Sequence, residues 1–247
     1  MGATTGEHEQ FYNGPLNDGL PSIVAAAHEL KSPLALMRQL SLMLEEGNVP
    51  ADDQKRMLRQ ISLTSERALR LTSDLTRSVR LSDALFTLEP INPQQLCEDI
   101  VRELAPLFNA HNRDVKLVSK RHPLLLVANR DLLRRIIMNF SDNALHYAEG
   151  DSAVEIRIAT LKAGNIIRLG VRDYGPAIPI DTLKTLQGKL ANCAPTPVHA
   201  RPQSSGLGLY ISRQFADAMN GHIGVTQHRD GATFYIDLQA SHQLSLL

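Results

Sequence analysis

The positions Ile23, Ala27, Leu30, Leu34, Met37, Ser41 and Leu44 follow one another in alternating steps of four and three, and all but Ser41 are apolar. This is a heptad seam, the pattern of a helix packed along its length against other helices. Gly47, Asn48 and Pro50 interrupt it. A second seam follows through Met57, Ile61, Thr64, Ala68, Leu71 and Leu75, with Asp52 and Asp53 placed where acidic side chains suit a helix N-terminus. Two long helices joined by a short turn form an antiparallel hairpin. Leu40, Leu58 and Val79 flank the seams and widen the apolar surface beyond what one hairpin can cover. Two hairpins paired as a four-helix bundle cover it, and a symmetric homodimer supplies the second. The alternative, a partner within the same chain, has no later heptad helix to provide it.

The texture changes after Pro90, Asn92 and Pro93. Residues 96–109 have the pattern of an amphipathic helix, 115–119 and 124–127 of strands, and 132–147 of a helix with Asp131 as its cap. Residues 154–160 alternate apolar and charged side chains, and 166–171 form the next strand across a Gly164-Asn165 turn. Residues 178–205 have little periodicity and contain Pro179, Pro195, Pro197 and Pro202, which marks a long loop of the kind that covers a site. A helix over 206–219 and a hairpin of 223–227 with 233–238 around Asp230-Gly231 complete the chain. Antiparallel strands mixed with helices predict an α+β sandwich with helices on one face.

Composition narrows the chemistry. The 26 basic and 26 acidic side chains cancel, and aromatic residues make up only 4% with no tryptophan. Neither a polyanion-binding surface nor a base-stacking one follows from that, so no nucleic-acid partner is expected. Cys97 and Cys193 have no spacing that forms a disulfide framework or a zinc site, in keeping with a reducing, cytoplasmic setting. Residues 1–17 lack the basic and apolar regions of a signal peptide, and no window approaches the ~18 consecutive apolar residues of a membrane span. Membrane contact is expected only through a segment absent from this chain.

Four short motifs carry the candidate chemistry. His28 lies one position past the first seam, at the bundle edge, and is followed by Glu29; a neutral imidazole is a nucleophile that a neighbouring carboxylate can orient or deprotonate. Pro33 in the same helix implies a bend. Asn139 and Asn143 are one helical turn apart, so both amides leave one face, able to ligate Mg²⁺ or to bond phosphate. Asp173 and Gly175 end a strand, where a carboxylate can accept from an exocyclic amine and a glycine admits close approach. Ser204-Ser205-Gly206-Leu207-Gly208-Leu209 runs into a helix start, whose unpaired N–H groups attract anions. Each motif alone reads equally as a surface histidine, exposed asparagines, a strand-ending turn or a Gly-rich turn.

In this order the motifs resemble those of sensor histidine kinases. His28-Glu29-x-x-Ser32-Pro33-Leu34 is similar to the H box, the Asn139–Asn143 segment to the N box, Asp173-x-Gly175 to the G1 box and Gly206-Leu207-Gly208-Leu209 to the G2 box. The nucleotide boxes are shared with heat-shock chaperones, mismatch-repair ATPases and type II topoisomerases. The resemblance covers roughly residues 20–240. It implies a flexible terminus over 1–19, a dimerisation and histidine phosphotransfer domain over 20–85, a Bergerat-type ATP-binding domain over 86–240 and a tail over 241–247. It further implies ATP and Mg²⁺ as cofactors, with His28 as phosphoacceptor, Glu29 as its general base and Ser32 positioning water for phosphatase action. Asn143 would hold Mg²⁺ with Asn139 nearby, and Tyr147 would pack on the adenine that Asp173 reads. His146, Gly175, Ser205, Gly206, Leu207 and Gly208 would complete the nucleotide site. The implied partner is a response regulator receiver domain. The sequence departs from the pattern at Ala177, where a second G1 glycine is usual, at His146, where lysine is common, and in lacking a Phe-rich F box. Those departures leave open a degenerate phosphotransfer scaffold of the same fold, and a chaperone-like ATP-binding protein would leave the H box unexplained.

Overall fold

The computed structural model describes residues 20–47, 49–80, 86–119, 124–147, 152–161, 164–191 and 207–241; for His28, Glu29, His146, Tyr147 and Leu207 the description is of the backbone. Helix α1 (Leu20–Glu45) and helix α2 (Ala51–Arg80) form the hairpin that the two seams predict. Gly47 makes the turn at φ +73°, a left-handed conformation that a Cβ would strain. Asp52 and Asp53 occupy the first turn of α2. The apolar surface of the hairpin is only partly covered. Leu40 and Ala68 are buried, whereas Leu34 (57%), Leu58 (58%) and Leu69 (67%) are exposed.

Strand β1 (Glu89–Ile91) leads into helix α3 (Pro93–Ala110), capped by Asn92, whose side chain accepts from the N–H groups of Gln94 and Gln95. Strands β2 (Val115–Val118) and β3 (Leu126–Ala128) precede helix α4 (Arg130–Tyr147). The cap of α4 is Asn129, whose carboxamide oxygen accepts from Leu132 N–H at 3.1 Å; Asp131, the residue that the sequence nominates, lies inside the first turn instead. Strands β4 (Val154–Leu161) and β5 (Ile166–Arg172) form the expected hairpin, with Gly164 at φ +98°. Helix α5 (Ile180–Ala191) then occupies part of the stretch expected to be a loop. Helix α6 (Leu207–Ala218) and strands β6 (His222–His228) and β7 (Gly231–Gln239) follow.

The main sheet runs β2-β4-β5-β7-β6. Its pairs are antiparallel except β2 with β4, which is parallel. β3 lies outside this sheet and pairs with β1. One sheet face is apolar: Ile156, Ile158, Ile167, Leu169, Phe234 and Ile236 meet Leu104 and Phe108 of α3, Ile136 and Phe140 of α4 and Ile211 and Phe215 of α6. Burying each such side chain is worth about 1.5–3 kcal/mol, so this layer holds the α+β sandwich together. Cys97 belongs to the same core, and burial pushes its thiol up to about 12, which makes it inert. The opposite face is polar and ordered, with Arg168 paired to Asp237 and lying 3.5 Å over the Tyr235 ring centroid. Gly224 allows this, because a Cβ there would lie 2.4 Å from the Tyr235 hydroxyl.

Candidate functional site

Helix α4 has two working faces. Leu133, Ile136, Ile137, Phe140 and Ala144 point into the core. Arg135, Met138, Asn139 and Asp142, at helical spacings of three and four, line a small cleft with Arg70, Leu71 and Asp74 of α2. Asn139 is half-buried, and its amide donates to the Ser212 hydroxyl at 3.3 Å and to the Gly208 carbonyl at 3.5 Å. The N-box motif is thereby tied to the first turn of α6, the turn that the Gly-rich motif enters. Asn143, also half-buried, lies one turn beyond Asn139. Its carboxamide is a hard oxygen donor of the kind Mg²⁺ accepts, and Mg²⁺ is usually held by few protein ligands together with substrate phosphates and water. No cluster of three or more His, Cys, Asp or Glu side chains fit to hold a metal occurs among the described residues.

Asp173 follows the last rung of β5 and is 2% exposed. Its N–H donates to the Ala232 carbonyl at 3.0 Å, and its Oδ1 accepts from Ala232 N–H at 3.1 Å. The second of these bonds holds one oxygen of the carboxylate. Gly175 N–H donates to the Asp230 carbonyl at 3.2 Å, so the G1 turn rests on the β6–β7 turn. Ala177 is exposed, and the only non-glycine residues with positive φ among those described are Asn112 and Asn220. An alanine therefore fits the backbone where the motif usually has glycine. Gly208 has nothing within 4 Å of where a Cβ would stand, so close packing is not what keeps it small here.

The structure thus joins Asn139 to Gly208, and Asp173 and Gly175 to one turn. Ser32 is exposed on α1. The backbones of His28 and Glu29 are helical, as are those of His146, Tyr147 and Leu207, while Ser205 and Gly206 lie outside the described residues. α6 touches both helices of the hairpin. Sequence reasoning missed Ser212, Arg172 and Gly231. For Gly231 the Asp-Gly turn is a signal, though by itself it marks only a hairpin connection. A Cβ on Gly231, at φ +131°, would stand 2.2 Å from the Asp173 carbonyl oxygen.

Fold and site define the class: a helical hairpin followed by a Bergerat-type α/β sandwich. Residues 128–242 match the family described as histidine kinase-, DNA gyrase B- and HSP90-like ATPases, and this segment belongs to it. Over most of its length the chain is related to sensor histidine kinases. It is 31% identical over 212 residues to the sensor protein kinase PmrB of Pseudomonas aeruginosa, covering 83% of this chain and 42% of PmrB. The chain thus spans about two fifths of that relative. Among solved structures, full-length ShkA in complex with AMPPNP superposes with a TM-score of 0.60 at 21% identity, over 92% of this chain and 47% of that one. Histidine kinase ThkA in complex with the response regulator protein TrrA gives 0.59 at 15% identity, over 89% and 61%. At such identities these two structures speak for the fold. No helix among the described residues is long and apolar enough to cross a membrane.

Proposed function

We propose that the chain is the transmitter part of a sensor histidine kinase, with residues 20–85 as a dimerising phosphotransfer domain and 86–240 as the ATP-binding catalytic domain. ATP binds with Mg²⁺ on Asn143, adenine meets Asp173 and Tyr147, and the phosphates lie toward Ser205, Gly206, Leu207 and Gly208, with His146 nearby. The His28 imidazole attacks the γ-phosphorus. The bond to the β–γ bridging oxygen breaks, ADP leaves, and Glu29 accepts the imidazole proton. The phosphoryl group then passes to an aspartate of a response regulator, and Ser32 positions water for its later hydrolysis. Phosphoryl transfer asks mainly for positioning and charge neutralisation, which this set of residues is suited to supply.

The observation that carries the reading is the bond of Asn139 to Gly208 and Ser212, which brings the N-box helix and the entry of the Gly-rich helix together. The AMPPNP held by ShkA and the regulator held by ThkA give the reading its ligand and its partner. The exposed leucines of the hairpin favour a homodimer, since a second hairpin would cover them.

The test is incubation with γ-labelled ATP and Mg²⁺. The wild type should acquire label that is stable to alkali and lost in acid, and His28→Ala and Asn143→Ala should acquire at least about a hundredfold less. Label persisting in His28→Ala would overturn the assignment. ATP binding without any label would leave an ATP-binding protein in place of a kinase.

A further inference from the structure

The last rung of the β5–β7 ladder is Arg172 opposite Thr233, and beyond it the chain leaves the sheet at Asp173. A carboxylate placed one residue past the end of a ladder has few constraints from the sheet itself. Here Ala232 supplies one constraint, and a second, on the Asp173 main chain, comes from Arg172. Its residue is 3% exposed. Nη1 donates to the Asp173 carbonyl at 2.5 Å and reaches the Ala232 carbonyl at 3.4 Å. Nη2 donates to Asp230 Oδ1 at 2.5 Å and reaches the Asp230 carbonyl at 3.5 Å. The guanidinium lies 4.5 Å from the centroid of the Tyr174 ring, whose hydroxyl accepts from Arg157 at 3.4 Å. The planar fork of arginine is the side chain that can bond both strands of this turn at once.

Gly231 completes the arrangement from the other side. A Cβ there would stand 2.2 Å from the Asp173 carbonyl oxygen, 2.7 Å from its Oδ1 and 2.9 Å from Arg172 Nη1. The guanidinium therefore ties the Asp173 carbonyl to the β6–β7 turn, the bare glycine leaves room for that carbonyl and the carboxylate, and Ala232 N–H holds one carboxylate oxygen. A hairpin needs none of this to pair, because the β5–β7 and β6–β7 ladders are complete without it.

We infer that Arg172 is a positioning residue that aims the Asp173 carboxylate at the nucleotide base and so sets the preference for adenine over guanine. The inference rests on the proposed role of Asp173. A carboxylate accepts from the exocyclic amine of adenine, whereas guanine presents a carbonyl there and meets like against like. Discrimination of this kind is strong only when the polar group is held in place. Without the fork, Asp173 keeps its chemistry and the Ala232 bond to Oδ1, and loses the hold on its main chain that aims the carboxylate.

The experiment measures equilibrium dissociation constants for ATP and GTP on the full chain, with Mg²⁺, for the wild type, Asp173→Asn, Arg172→Met and Arg172→Lys. The wild type should prefer ATP by about a hundredfold or more, and Asp173→Asn should lose that preference. Arg172→Met should weaken ATP about tenfold and narrow the ATP-to-GTP ratio by a similar factor, and Arg172→Lys, which keeps one donor for Asp230, should fall between. In His28 labelling, Arg172→Met should raise KM for ATP about tenfold while the rate at saturating ATP stays within about threefold. A general loosening of the fold would not move the base ratio and KM together while sparing that rate. Should Arg172→Met not fold, Asp230→Ala removes the carboxylate anchor and should narrow the ratio about threefold. If Asp173→Asn loses the preference while Arg172→Met, or Asp230→Ala in its place, keeps the wild-type ratio, the inference is overturned and the role of Asp173 stands. If the wild type shows no preference for ATP, or Asp173→Asn retains it, the role of Asp173 fails and the inference fails with it.

Discussion

His228 shows how one side chain registers the charge layout around the G1 turn. Its Nε2 lies 2.9 Å from the Thr233 hydroxyl. Burial, then the positive charge of Arg172 and of Arg157, holds the imidazole below its ordinary 6.5, against the opposing pull of Asp230. A depressed pKa means that the folded state favours the neutral ring. The corresponding stability is present above the ordinary value and is lost as the pH falls through the folded one. Wild-type unfolding free energy should therefore drop between pH 7.5 and 5.5 by more than that of His228→Gln, measured by urea denaturation across that range. Parallel profiles for the two proteins would remove His228 as the cause. At this scale the sequence shows Asp173 and the two asparagines plainly, since their residue types and spacing are local facts. It hides Arg172, because an arginine at the end of a strand looks like any solvated cation until the β6–β7 turn folds onto it.

Among the elements, α3 starts at Pro93, three residues before the 96–109 pattern places it, because Asn92 and Pro93, which in the sequence mark only a break, cap and open the helix. Asn92 accepts from the N–H groups of Gln94 and Gln95 at 3.0 and 3.2 Å, and Pro93 takes the first helical position, where its lack of an N–H costs nothing. Asn92→Ala should lower stability by about 1 kcal/mol, read as a shift in the denaturation midpoint at unchanged slope. An unshifted midpoint would mean that the cap carries no net energy. Where the sequence misleads, the reason is competition between nearby signals. Asp131 and Asn129 both suit the start of α4, and only the backbone geometry shows that the Asn129 oxygen reaches Leu132 N–H. α5 escapes notice because Pro179 precedes it and Pro195, Pro197 and Pro202 follow, so that Leu183, Leu186 and Leu190, at steps of three and four, stand inside a stretch that reads as a loop. β1 is missed for a different reason: three residues opposite β3 are too few to show an alternation.

Across the whole molecule the hairpin and the sandwich meet at an ion pair. Arg135 Nη1 of α4 lies 2.8 Å from Asp74 Oδ1 of α2, an ion pair by distance whose N–H is not aligned for a hydrogen bond. Asp74 is 3% exposed. Removing one member of such a pair leaves the other short of its compensating charge, and Arg135 keeps part of its side chain in solvent. Asp74→Ala should thus cost about 1–3 kcal/mol, and the apolar double replacement Asp74→Leu with Arg135→Met should recover most of it. Denaturation of the three proteins tests this, and a neutral Asp74→Ala would show that the pair contributes nothing to the contact.

By itself the chain determined its periodic elements, all but α5 and β1, and its four motifs, because heptads, alternation and short spacings are set by neighbours along the backbone. The tertiary structure alone decided that β2 and β4 run parallel, that β3 leaves the main sheet for β1, that Asn139 reaches α6 and that Arg172 and Gly231 grip Asp173. These contacts join residues up to 73 positions apart in the chain. No local preference encodes such a pairing; it follows from burying one apolar face of a sheet beneath three helices, which brings distant polar groups within reach of each other.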